Sequence, residues 1–60
     1  MTDLDDLKAM LDKDGLEYIH TRLPGGHLVS WRANDNGAQV WVTAMFNEDG
    51  TNRGFERDYG

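Results

Sequence analysis

The chain has 60 residues, no cysteine and a net charge of −5. That length holds one domain, residues 1–60. Folding buries only about 60% of the unfolded surface of so short a chain, so the core is marginal. Without cysteine, disulfides and thiolate metal sites are excluded. No apolar run approaches the roughly 20 residues of a membrane span. The acidic N-terminus lacks the apolar stretch of a signal peptide, so the expected location is the cytoplasm.

The charge is unevenly spread. Residues 1–17 set Asp3, Asp5, Asp6, Asp12, Asp14 and Glu17 against Lys8 and Lys13. Residues 18–46 set only Asp35 against Arg22 and Arg32, and residues 47–60 set Glu48, Asp49, Glu56 and Asp58 against Arg53 and Arg57. The acid lies at the two ends. A nucleic-acid binder needs a basic patch for phosphate contacts, so this balance argues against that class. It favours a basic protein as partner.

Taken in order, Thr2 or Asp3 can cap a helix whose first turn is acidic, as the helix dipole prefers. Leu4, Leu7, Met10 and Leu11 recur at helical spacing. Gly15 fits the left-handed position that ends many helices, and Leu16 can fold back on the last turn. The pattern predicts a helix from about 3 to 14. It is too short to be stable alone, so its apolar stripe must cover something else.

Leu16 to Leu23 reads as a first strand, turned by Pro24-Gly25. With Gly26 also available, the loop length is open by one residue. A slip of one exchanges the faces, so either Tyr18 or Ile19 points to the core. His27 to Ala33 and Ala38 to Phe46 alternate apolar and polar residues and are rich in β-branched and aromatic types. Asn36-Gly37 between them is a strong hairpin signal, because a primed turn needs positive φ at both central residues. Val29, Trp31, Ala33, Val40, Val42, Ala44 and Phe46 form one apolar face, where the helix is expected. Leu28, Ser30, Arg32, Gln39, Trp41, Thr43 and Met45 form the other. Beyond the turn at Asn47–Gly50, residues 51–60 read either as a short fourth edge strand around Phe55 or as a loose tail.

The expected fold is therefore α+β, an N-terminal helix on a three-stranded antiparallel sheet, with a short fourth strand open. No catalytic set, nucleophile elbow or phosphate loop stands out. His20 and His27 flank the first turn, and two imidazoles are too few for a closed zinc site, so no metal or cofactor is expected. Calcium-loop spacing fails, because Arg32, Met45 and Met10 fall where the first acidic ligand belongs. Trp41 is the more informative residue. With Leu28 and Met45 it gives the second sheet face an interface-like composition, unless Phe55 or Tyr59 covers it. The candidate binding residues are Trp41, Leu28 and Met45 on the sheet and Asp5, Asp6 and Asp12 on the acidic helix.

The order helix, Asp-Gly, strand, Gly25-Gly26-His27, strand, Asn-Gly, strand over residues 4–44 resembles the front part of HicA-type toxins. These are small ribonucleases of αβββα fold. The resemblance implies a catalytic role for His27 as general acid/base. No closing helix is legible after Phe46. The residues themselves favour a non-enzymatic module that binds a basic protein by occlusion. The analogy is with small acidic inhibitors of phages and other mobile elements. A homodimer through the sheet face is the other expected association.

Overall fold

A computed structural model describes residues 2–59. The element order is α1 (Asp3–Lys13), β1 (Tyr18–Leu23), β2 (Gly26–Asp35), β3 (Ala38–Asn47) and β4 (Asn52–Asp58). The four strands form one antiparallel sheet in the order β1-β2-β3-β4. Each strand thus pairs with its sequence neighbour, and every loop closure is short.

Helix α1 begins and ends as its residues dictate. The Asp5 N–H donates to Thr2 Oγ1 at 3.2 Å, a side-chain cap. At the other end Gly15 has φ +70°. Its N–H donates to the Asp12 carbonyl at 3.1 Å, and the Leu16 N–H donates to the Leu11 carbonyl at 2.9 Å. This pair of bonds is the Schellman motif. It leads the chain into β1 at Tyr18, two residues later than the pattern alone predicts.

The helix covers the expected face. Leu4 and Leu11 are buried against Val29, Trp31, Val40, Val42, Ala44 and Phe46, with Leu7, Tyr18 and Ala33 partly buried around them. Met10 departs from the predicted stripe and is 51% exposed. At 100° per residue it lies about 90° from the line through Leu4, Leu7 and Leu11, too far round to reach the sheet. Leu7 is only partly buried.

The hairpins follow their turn chemistry. Asn36 and Gly37 have φ of +51° and +85°, and Asp35 pairs with Ala38, giving the expected primed two-residue turn. Leu23 pairs with Gly26, so Pro24 and Gly25 alone make the first loop. That fixes the open register. Tyr18 lies opposite Trp31 and Ile19 opposite Ser30, so Tyr18 faces the helix and Ile19 the other side.

Of the two readings of the last segment, the strand is the one found. β4 pairs with β3 from Trp41↔Asp58 to Phe46↔Asn52, with a register shift at Met45/Phe46. The helix N-terminus holds the turn that leads into it. The Leu4 N–H, one of the donors a helix start leaves free, bonds the Gly50 carbonyl at 2.9 Å. The Asp3 carboxylate accepts from the Asn52 N–H at 2.9 Å.

Candidate functional site

The sheet face away from α1 is built by strand alternation alone. Leu28 lies opposite Met45, Ser30 opposite Thr43, and Arg32 opposite Trp41. β1 adds Ile19 beside Ser30 and Thr21 beside Leu28. β4 adds Gly54, Glu56 and Asp58 beside Met45, Thr43 and Trp41. Ser30 Oγ and Thr43 Oγ1 bond each other at 3.1 Å near the centre, so this pair satisfies its polarity internally. The Arg32 guanidinium sits 5.0 Å from the Trp41 ring centroid, within cation–π range. Direct cross-strand opposition brings the two side chains together.

Neither aromatic of the last segment covers this face. Phe55 lies opposite Ala44, which puts it on the helix side. Tyr59 donates to Asp35 Oδ2 at 2.9 Å, and that bond raises the phenol pKa. Gly54 presents no side chain over Met45; a Cβ there would come 3.8 Å from Met45 Cε. Trp41 stays 40% exposed, Ile19 59% and Leu23 45%.

The predicted binding residues therefore fall into two groups. Trp41, Leu28 and Met45 share the outer sheet face. Asp5, Asp6 and Asp12 are exposed on α1, in the other layer, and one flat partner surface cannot reach both groups. Ile19 takes the outer-face place that the sequence left open between it and Tyr18, Leu23 follows it in the same register, and Glu56 and Asp58 join the face from β4. The first pair depended on the Pro24-Gly25 loop length. The second depended on β4 forming.

The histidines lie on the helix side. His20 pairs with Val29 and His27 with Arg22, so the two rings are diagonal neighbours. His20 Nε2 and His27 Nδ1 are 3.0 Å apart, and the ring centroids 5.1 Å. One ring must donate and the other accept, so the contact needs at least one neutral imidazole. Partial burial lowers the His20 pKa, and the positive charges of Lys8, His27 and Arg22 lower it further. Among the described residues no group of three or more His, Asp or Glu is placed to hold a metal ion. No helix of the described residues is long and apolar enough to cross a membrane.

Comparison with known protein families, with curated proteins and with solved structures gave no match to this chain. The HicA resemblance rests on its short segments. Where that family has its closing helix, this chain has β4.

Proposed function

We propose that this protein is a non-enzymatic binding module that docks a protein partner on its outer sheet face, centred on Trp41, and acts by occlusion. One observation carries the reading: among the described residues, nothing forms a second layer over the sheet face that bears Ile19, Leu28, Trp41 and Met45. Monomers keep such apolar patches small, and larger ones mark interaction sites. The molecule is a plate 34 × 24 × 15 Å across. Its broad face is about 800 Å², one partner's share of a standard interface.

The rim points to the partner's chemistry. Glu56 and Asp58 line the β4 side of the face, and a basic partner would complement them. This is the mode by which a small acidic inhibitor would cover a basic host or defence protein. The same face would serve a homodimer, and either association would add stability that a 60-residue core lacks, by mass action.

The test uses three baits in lysate of the source cell: wild type, Trp41→Ser, and a variant with Asp5, Asp6 and Asp12 changed to Asn. The expected result is one partner retained by wild type and the helix variant and lost by Trp41→Ser. Retention by Trp41→Ser with loss by the helix variant would move the site to α1 and overturn the proposal.

A further inference from the structure

The helix-side surface of the β1–β2 hairpin gathers positive groups in a chain that is otherwise acidic. Arg22 and His27 are directly opposed across the ladder. His20 touches His27 at 3.0 Å. Lys8 is half-buried on α1, in the layer above; after burial, its charge and those of His27 and Arg22 are what lower the His20 pKa. Asp5 and Asp12 stand about one turn to either side of Lys8 along the helix and are exposed. We propose that Lys8, His20, Arg22 and His27 form a binding site for a phosphate-type dianion.

The chemistry of the four groups fits that ligand class. Lys8 supplies a compact ammonium and Arg22 a planar fork that matches two oxygens of one phosphate. In the free protein the two imidazoles satisfy each other through one shared hydrogen bond. Protonating both would set two N–H groups against each other. A dianion between the cations removes that conflict, because each imidazolium can turn its N–H to a ligand oxygen instead. Binding therefore takes up protons. It strengthens on acidification for as long as the ligand itself stays a dianion. A divalent metal is the wrong occupant, since Lys8 and Arg22 would repel it. The outer face lies on the opposite side of the sheet, so this site neither depends on nor competes with docking at Trp41.

The experiment is a titration of the full chain at pH 6.5 with sodium sulfate, a phosphate-shaped ion that stays a dianion at this pH, followed by the ring resonances of His20 and His27 in NMR. Sodium chloride at matched ionic strength is the control. The site predicts saturable shifts at both rings and a raised apparent pKa for the pair. Arg22→Gln and Lys8→Gln should each weaken binding about 30-fold, the effect of one unit charge near 4 Å from a dianion in water. Both replace side chains outside the core, and unchanged circular dichroism shows that the fold is kept. Shifts that chloride reproduces would overturn the site. So would shifts that never saturate, or wild-type affinity in both variants.

Discussion

Within β3, Val40, Val42, Ala44 and Phe46 are buried under α1, while Trp41, Thr43 and Met45 between them look out on the other side. Both sets come from one ten-residue strand, and both contain large apolar groups. The difference lies in what the rest of the chain can supply. Leu4 and Leu11 of α1 close the first face. On the second, β4 extends the sheet sideways and ends its outward row in Gly54, Glu56 and Asp58. The described residues build two layers and no third. The face without a layer therefore has to be tolerated by solvent or covered by another molecule.

The sharpest way to break the covered side is Leu11→Ala, since Leu11 is 1% exposed. It should cost about 2–5 kcal/mol, enough to unfold a domain this small near room temperature. A thermal melt by circular dichroism checks it. Met10→Ala, one position earlier on the same helix, should change stability by no more than about 0.5 kcal/mol. Leu7→Ala should fall between them.

A second break lies at the hairpin end. A Cβ on Gly26 would collide with the carbonyl oxygen of Phe46, where β2 and β3 approach closely. Gly26→Ala should destabilise by about 1–3 kcal/mol, as overpacked sites do. Gly25→Ala would meet no atom within 4 Å but is held at φ +82°. It should cost about 1 kcal/mol through backbone strain alone. Denaturant midpoints would separate the two.

A smaller effect sets the helix side against pH. His20 has a folded-state pKa below its ordinary value, so the unfolded chain binds more protons over that window. Its contribution to stability is full above the unfolded pKa, near 6.5, and is lost as pH falls through the lower folded value. Asp49 follows the same direction at more acid pH. Its carboxylate accepts from the Thr51 hydroxyl and N–H, which holds its pKa down. The melting temperature should fall between pH 7.5 and 5.5, and His20→Gln should flatten that slope.

Much of this was legible in the residues. Helix α1, its glycine cap and the Asn36-Gly37 turn follow from local chemistry, and the apolar face of β2 and β3 follows from period-two alternation. Two things were not legible. The register of β1 hung on whether Gly26 belongs to the loop or to the strand, and its backbone pairing with Asn47 is a tertiary fact. β4 is polar, with Phe55 its only large apolar side chain. Its order comes from contacts remote in sequence, Leu4 to Gly50 and Asp3 to Asn52. Of the candidate binding residues, Trp41, Leu28 and Met45 could be grouped from alternation. That α1 and its acids occupy the other layer follows from the same alternation.

The measurement that bears most directly on the contrast between the two faces is Trp41→Ser, followed in one preparation by circular dichroism and by sedimentation velocity with and without the captured partner. The outer-face account predicts an unchanged spectrum, a melting temperature within a few degrees of wild type and lost or weakened association. Association at wild-type strength, or collapse of the fold, would contradict it and make Trp41 a structural residue.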